Sequence, residues 1–289
     1  MRYIVLNISY GNGPYLRMTE LAITLNDILE RRGAERRHIV VPLLYGNRQR
    51  HIMEEELGPL LREHPHEVHL DEEFGRLLSP LLYERETYGA YLERWLQLVD
   101  STERTVATYL RRTYGASVDI ELHRAPRLRL GTGAPSYLVS FASTAEILER
   151  VQCAREIHIN HTLLQQCSER MRVVEEHSRI HFLSTPGTFT WDQSRTPFLQ
   201  NEVGTPPTIH TPHPLTSPLE EGIYVTVTGI PGLERLYESA KNIGLHIYTN
   251  DACFIPGSKH LPPACLGHPA IRLHIARAGW SSVWLSLLT

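Results

Sequence analysis

The sequence predicts an α/β protein with two domains. Three observations indicate this fold class: apolar runs rich in β-branched residues alternate with stretches of helical periodicity, a proline-rich segment interrupts the alternation, and the alternation resumes after it. A chain of 289 residues is long enough for two domains, since a domain has about 150 residues. Its hydrophobic fraction of 42% is that of a globular protein able to bury a sizeable core.

The chain opens with a predicted βαβ unit. Residues 3–8 (YIVLNI) form a β-branched apolar run, and the glycine-containing segment SYGNGPY follows them. Leu21, Leu25 and Ile28 then recur at helical spacing, and HIVVPLLYG is a second apolar run. A strand, a glycine turn, a helix and a second strand in this order predict two parallel strands joined by a right-handed crossover.

The rest of the first domain, which we place at residues 1–204, continues the alternation. Residues 54–112 are predicted to be mostly helical, with an apolar and aromatic stripe from Tyr88 to Val99 that faces the core. Further strands are predicted at 136–143, 156–160 and 179–185, with helices between them around 144–152 and 163–177.

A proline-rich segment separates the two domains. The stretch VGTPPTIHTPHPLTSP begins at Val203, and its five prolines can continue neither a helix nor a central strand. We predict a linker at residues 205–218 and a second domain at residues 219–289. This second part provides roughly three βα units, whereas a complete Rossmann-like domain has about five or six strands. It is therefore predicted to be incomplete: either the domain is truncated, or a second polypeptide or self-association completes it.

Charge and cysteine content exclude several classes of protein. The net charge is −3, so no basic field indicates a nucleic-acid partner or an anionic membrane surface. The apolar run that begins at Tyr3 is too short for a membrane span or a signal peptide. The four cysteines form no C-x-x-C pair and suggest no disulfide framework. These features predict a cytoplasmic protein.

Two predicted strand-to-helix turns in the second domain are candidates for ligand binding. In YVTVTGIPGLERLYESA, Gly229 and Gly232 bracket the turn. In RLHIARAGWSSVWLSLL, Gly279 opens the turn, and Ser281 or Ser282 can cap the helix. Small residues let a ligand approach the backbone, and free N–H groups with the helix dipole favour an anion. The arginine two positions before Gly279 can add a charge-assisted contact to a phosphate.

These segments resemble the donor-binding half of GT-B fold glycosyltransferases, which contain two Rossmann-like domains. The similarity is closest to families that use UDP-sugars, including the peptidoglycan N-acetylglucosaminyltransferase. In those proteins an H/R-x-G-x-x-S segment holds the nucleotide diphosphate on a helix N-terminus, and the opening glycine loop faces acceptor and donor. The resemblance implies that the nucleotide sugar contacts Gly11, Gly13, Gly229, Ile230, Pro231, Gly232, Arg277, Gly279, Trp280, Ser281 and Ser282.

The resemblance implies transfer of a sugar from a UDP-sugar to an acceptor, with the nucleotide sugar as substrate and no cofactor. No D-x-D pair stands near a strand end, which fits a metal-independent GT-B enzyme. Related enzymes often carry a histidine in the first glycine loop, where this chain has NGPY at residues 12–15. A base for the acceptor hydroxyl must then come from elsewhere, and His161 and Glu20 are the candidates.

Three alternatives stay open. The missing loop histidine, and the missing family segment that carries the ribose-binding carboxylate, favour a non-catalytic subunit or a fragment of a split transferase. A nucleotide-sugar epimerase has the same architecture. Separately, Cys153, His158, His161 and Cys167 run C-x4-H-x2-H-x5-C, which contains zinc-ligand types at a spacing of no common structural module.

Overall fold

A computed structural model of the chain describes residues 1–9, 11–84, 86–154, 158–207, 218–227, 235, 238–239, 242 and 244–276. The chain divides into two compact units, Met1–Thr208 and Ile209–Thr289. Each unit contains a parallel β-sheet, and helices cover the sheet of the first, which confirms the predicted α/β class. None of the helices in the described ranges is long and apolar enough to cross a membrane.

The first unit is built on a seven-stranded parallel sheet with the order β3-β2-β1-β4-β5-β6-β7. The chain passes from β1 to β2 and β3 on one side, and β4 then pairs with the other side of β1. The strands are β1 (Tyr3–Ile8), β2 (His38–Pro42), β3 (Val68–Asp71), β4 (Val118–Arg124), β5 (Ser136–Ser140), β6 (Ile180–Ser184) and β7 (Glu202–Thr205). The helices are α1 (Asn12–Arg31), α2 (Gly46–Leu57), α3 (Glu72–Leu78), α4 (Tyr88–Thr113), α5 (Thr144–Gln152) and α6 (His161–Glu176).

Alternate side chains of the central strands enter two separate apolar layers, as the period of a strand requires. Leu6 of β1 packs in the layer that contains α1 and α2, whereas Val5 packs in the layer that contains α4 and α6. The stripe predicted on α4 faces this second layer except at its first residue, Tyr88, which is 41% exposed. Its Trp95 is 1% exposed, and Tyr91 and Val99 are also buried. The core of the first unit therefore lies on both faces of the sheet.

The sequence does not predict three of these strands, and the described end of one predicted strand is not a strand. β3 is a short strand inside a region predicted to be mostly helical, β4 carries polar residues, and β7 overlaps the start of the proline-rich stretch. Residues 158–160, predicted as the end of a strand, are irregular instead. The physical reason is that Asn160 caps α6, since its side chain accepts a hydrogen bond from Thr162 N at 2.9 Å.

The second unit contains a four-stranded parallel sheet in its described part. Its strands are β8 (Gly222–Val225), β9 (His246–Thr249), β10 (Lys259–His260) and β11 (Ile271–Ile275), in the order β10-β9-β8-β11. Ile223 and Val225 pack with Ile255 on one face, and Tyr224 and Tyr248 pack on the other. This order repeats that of β3-β2-β1-β4 in the first unit, although the sequence shows no internal repeat.

Candidate functional site

Each sheet has one point at which the direction of the strand connections reverses. Open parallel sheets bind ligands there, outside the carboxyl ends of the two strands concerned. In the first unit this switch point lies between β1 and β4, and in the second unit it lies between β8 and β11. Val225 and Ile275, the last residues of β8 and β11, are direct neighbours in the sheet. The predicted segments 229–232 and 277–282 therefore follow two adjacent strand ends.

Most of the residues predicted to bind the nucleotide sugar lie beyond the described ranges, and only the strand ends before them are placed. Gly11 and Gly13 lie within those ranges and belong to the first unit. The residues outside are Gly229, Ile230, Pro231, Gly232, Arg277, Gly279, Trp280, Ser281 and Ser282.

Two side-chain contacts organise the switch point of the second unit. Asn250, just after β9, accepts a hydrogen bond from Val227 N at 2.7 Å, and its Nδ2 donates to Val227 O at 2.9 Å. Thr226 Oγ1 lies 2.8 Å from His274 Nε2, which links the ends of β8 and β11. Burial lowers the pKa of His274, so this imidazole stays neutral near pH 7. These contacts fix the position of the chain at the point where it leaves β8 and continues towards the segment that contains Gly229.

Asn250→Ala should lower the free energy of unfolding by about 1–3 kcal/mol, because it removes the partners of two part-buried backbone groups. Chemical denaturation measures the loss. Asn242→Ala is the control, since Asn242 is exposed in the same unit and should change the stability little. Equal denaturation midpoints for the two variants would show that Asn250 does not hold the end of β8.

The loop between β1 and α1 is shorter than the sequence predicts. Gly11 has a φ of +97°, which favours glycine, and its N–H donates to Tyr45 Oη at 2.7 Å. α1 already begins at Asn12, so Gly13 lies in the first turn of the helix and not in a loop. Pro14 is compatible with this early start, because the first amide groups of a helix have no partner within it.

The two candidate bases lie on helices that cover opposite faces of the first sheet. Glu20 is in α1, where its Oε2 accepts a hydrogen bond from Arg17 Nη1 at 2.6 Å. His161 is the first residue of α6 and is exposed. α1 packs in the layer of Leu6 and α6 in the layer of Val5. The structure does not bring the two residues together, so they are alternatives and not a pair.

The four residues of the C-x4-H-x2-H-x5-C pattern are not grouped as metal ligands in the described part of the chain. Cys167 is buried, and its Sγ donates to Leu92 O at 3.7 Å, while Cys153 is exposed at the end of α5. Burial raises the pKa of the Cys167 thiol to about 11, so this thiol is protonated near pH 7. In the part of the chain that the structure describes, no three His, Cys, Asp or Glu side chains converge.

Arg124 is a candidate that the sequence does not reveal. It ends β4 at the switch point of the first unit, where it neighbours Ile8 of β1. Arg124 is 6% exposed, and its guanidinium carbon lies 4.8 Å from the centroid of the Phe141 ring. Arginine side chains are almost never fully buried unless they are paired. Because β4 was not predicted, the sequence did not show that Arg124 lies at the end of a strand.

No protein-family model matches this sequence, and no curated protein is significantly similar to it. Solved structures do match. The structure of UGT71G1 from Medicago truncatula complexed with UDP-glucose is 12% identical, with 99% of this chain and 78% of that chain covered and a TM-score of 0.53. The structure of UDP-glucose: anthocyanidin 3-O-glucosyltransferase in complex with UDP is 10% identical, with 99% and 78% covered and a TM-score of 0.54.

These similarities show the fold. The chain has the α/β fold of GT-B glycosyltransferases that use UDP-sugars, as the sequence predicts. The narrower similarity to the peptidoglycan N-acetylglucosaminyltransferase and the incompleteness of the second domain stay predictions.

Proposed function

We propose that this protein transfers a sugar from a UDP-sugar to a hydroxyl group of an acceptor molecule, without a metal ion. One observation carries the proposal. The two segments predicted to hold the nucleotide follow β8 and β11 in the chain, and the carboxyl ends of these strands meet at the switch point of the second sheet. The protein would bind the diphosphate leaving group there and align the acceptor with the sugar.

The residue types of the two segments suit a diphosphate. Arg277 carries a guanidinium that is always protonated and can form paired hydrogen bonds with phosphate oxygens. Ser281 and Ser282 add hydroxyl donors, and Gly229 and Gly279 leave room for phosphate to approach backbone N–H groups. A pocket of this kind stabilises the negative charge that develops on the departing nucleotide.

The base that takes the acceptor proton is His161 or Glu20 in this proposal. Glu20 lies in the helix that starts at the switch point of the first unit, whereas His161 offers an exposed imidazole. The rates of separate His161→Asn and Glu20→Gln variants tell the two apart, because removal of a general base slows transfer by about 100-fold to 10,000-fold.

Arg277→Ala combined with Ser281→Ala is expected to weaken UDP binding by a factor of about 10 to 100. The reason is that a hydrogen bond to a charged group contributes about 1.5–3 kcal/mol. Isothermal titration calorimetry with UDP gives the dissociation constants. Arg272→Ala is the matched control, since Arg272 is an exposed residue of β11 that pairs with Glu221 at 3.2 Å. Unchanged affinity in the double variant, with measurable binding by the parent, would refute the assignment of this segment.

Turnover completes the test of the proposed function. With a UDP-sugar and a set of hydroxyl-bearing acceptors, UDP should be released together with a glycosylated acceptor. Formation of an epimer of the donor without any acceptor would identify an epimerase instead. UDP binding with turnover only after a second polypeptide is added would identify a subunit of a split transferase.

A further inference from the structure

A tyrosine from another loop holds the connection between β1 and α1. Gly11, the residue before α1, donates its N–H to Tyr45 Oη at 2.7 Å. The φ of +97° and ψ of 159° at Gly11 lie in a region that is essentially restricted to glycine. A backbone conformation of this kind persists only where surrounding groups fix it. The hydrogen bond to Tyr45 is one such group.

The loop that carries Tyr45 is itself held by a buried glutamine. This loop connects β2 and α2, and the side chain of Gln49 in α2 is fully buried against it. Gln49 Oε1 accepts hydrogen bonds from Leu44 N at 2.7 Å and from Tyr45 N at 3.1 Å. Its Nε2 donates to Pro42 O at 2.9 Å. One side chain therefore fixes the backbone of the loop at three points.

Helix α3 supports the same loop from a second side. Gly75 packs so closely on the loop that a Cβ at position 75 would lie 2.0 Å from Leu43 O. Leu43 N also donates to Asp71 O at 2.9 Å, which ties the start of the loop to the end of β3. Tyr45 thus projects from a rigid support, so its hydroxyl can determine the position of Gly11 rather than follow it.

The side from which Tyr45 holds Gly11 follows from the order of the strands. β2 lies on one side of β1, and β4 lies on the other. Because Tyr45 follows β2, it holds Gly11 from the side away from the switch point between β1 and β4. This contact therefore leaves open the place where a parallel sheet binds its ligand.

We propose that Tyr45 is a positioning residue for sugar transfer. Through the amide of Gly11, it keeps the loop between β1 and α1 out of the switch point of the first unit, so that the acceptor can enter there. Without this hydrogen bond the loop would hold the competent position for only a fraction of the time, and acceptor affinity would fall by that fraction. The inference rests on the proposed function and on the predicted place of this loop beside acceptor and donor.

Steady-state transfer by the full chain tests this role, with UDP-glucose as donor and 4-nitrophenol or methyl glucoside as acceptor. Tyr45→Phe removes only the hydroxyl. It should raise the KM for the acceptor about three- to tenfold, because one neutral hydrogen bond shifts a conformational equilibrium by about that factor. With saturating acceptor, kcat should change less than about twofold. An unchanged KM overturns the proposal.

A double variant shows whether Tyr45 acts through Gly11. Gly11→Ala places a side chain on a backbone with positive φ, although its Cβ would meet only Pro14 Cδ, at 3.6 Å. This variant should raise the same KM. Tyr45→Phe in the Gly11→Ala background should add little, because two changes in one interaction are not additive. A full further rise in KM would mean that Tyr45 acts by another route, which overturns the proposal.

Tyr109→Phe is the matched control. Tyr109 is part-buried in the same unit, and its hydroxyl donates to both carboxylate oxygens of Asp71 at 2.9 Å. Asp71 also accepts hydrogen bonds from the hydroxyl of Tyr114 at 2.6 Å and from Phe74 N at 2.9 Å. The control should leave the KM for the acceptor unchanged. A rise equal to that of Tyr45→Phe would reveal a general effect of a lost tyrosine hydroxyl and would overturn the proposal.

UDP titration and hydrogen exchange distinguish this inference from the proposed function. Tyr45→Phe should leave the UDP affinity unchanged, whereas Arg277→Ala with Ser281→Ala should weaken it. A loss of UDP affinity in Tyr45→Phe overturns the assignment to the acceptor. Exchange of the Gly11 amide, followed by NMR, needs no turnover and should be at least about threefold faster in Tyr45→Phe. Unchanged exchange overturns the proposal, whereas a parent that glycosylates neither acceptor refutes the proposed function and the role in transfer with it.

Discussion

Lowering the pH from 7 to 4 should reduce the free energy of unfolding of the wild-type protein by about 3 kcal/mol more than that of a His181→Leu variant. His181 in β6 is fully buried, and its Nε2 lies 2.7 Å from Ser140 Oγ. Its Nδ1 has no hydrogen-bond partner in the described part of the chain. Burial lowers the pKa of His181 to about 4, compared with about 6.5 in an unfolded chain. The difference between these two pKa values sets the size of the effect.

The direction of the effect depends on which state binds the proton. The unfolded chain protonates His181 below about pH 6.5, whereas the folded protein does so only below about pH 4. The stability that the neutral imidazole provides is complete above pH 6.5 and is lost as the pH falls towards 4. Burial raises the pKa of Glu175, which acts in the opposite direction, but Glu175 is present in both proteins and cancels.

Chemical denaturation of both proteins at several pH values between 4 and 7 measures this difference. Leucine removes the titrating group and keeps the site apolar, and Ser140 Oγ still donates to Ala142 O at 2.9 Å. A stability difference that stays constant over this range would show that the folded protein protonates His181 as easily as the unfolded chain does.

Arg195→Ala should lower the free energy of unfolding by about 3–5 kcal/mol, which is typical when one member of a buried ion pair is removed. Arg195 Nη2 donates to Glu146 Oε2 at 2.6 Å, and Arg195 Nη1 donates to Glu202 Oε2 at 2.9 Å. The side chain of Arg195 is 9% exposed, and those of both carboxylates are 4% exposed. Without the guanidinium, two buried carboxylates lose a shared counter-charge, and the segment before β7 loses its tie to α5.

Two further variants show whether the charge is the cause. Arg172→Ala removes an arginine that pairs with Glu149 at 3.3 Å on a more exposed surface, and it should cost at most about 1 kcal/mol. Glu202→Gln in the Arg195→Ala background removes the carboxylate that has lost its counter-charge, whereas Glu146 still pairs with Arg150 at 2.7 Å, and this variant should recover part of the loss. If Arg195→Ala and Arg172→Ala destabilise equally in urea denaturation, the buried network contributes no more than a surface pair.

Local patterns account for the parts of the fold that the sequence predicts. The apolar β-branched runs of β1, β2, β5 and β6 and the helical periodicity of α1 and α4 are visible within short windows. The same is true of the proline-rich stretch, because proline acts on its own backbone and that of its neighbour. The β/α class and most element positions therefore follow from residues that are close in the chain.

β4 shows why local sequence patterns did not predict the rest of the fold. Glu121 and His123 interrupt its apolar run, yet both are buried. Glu121 Oε1 accepts a hydrogen bond from Thr132 N at 3.0 Å, and His123 Nδ1 lies 2.8 Å from Asn7 Nδ2. Because the partner of His123 comes from another strand, no local window shows that these polar groups can be buried. The sequence therefore did not predict this strand, and it did not show that Arg124 lies at a strand end.

The sequence by itself determined that glycine-containing segments follow predicted strands near residues 11, 229 and 279, and that the last of them carries an arginine and two serines. The sequence did not show which of these segments follow neighbouring strands, so each was a separate candidate for ligand binding. Only the tertiary structure decided that β8 lies beside β11 and that β1 lies beside β4, so that the strand ends before these segments meet at two switch points. The physical reason is that strand order arises from hydrogen bonds and burial between distant parts of the chain, whereas a sequence pattern reports only what each part can form alone.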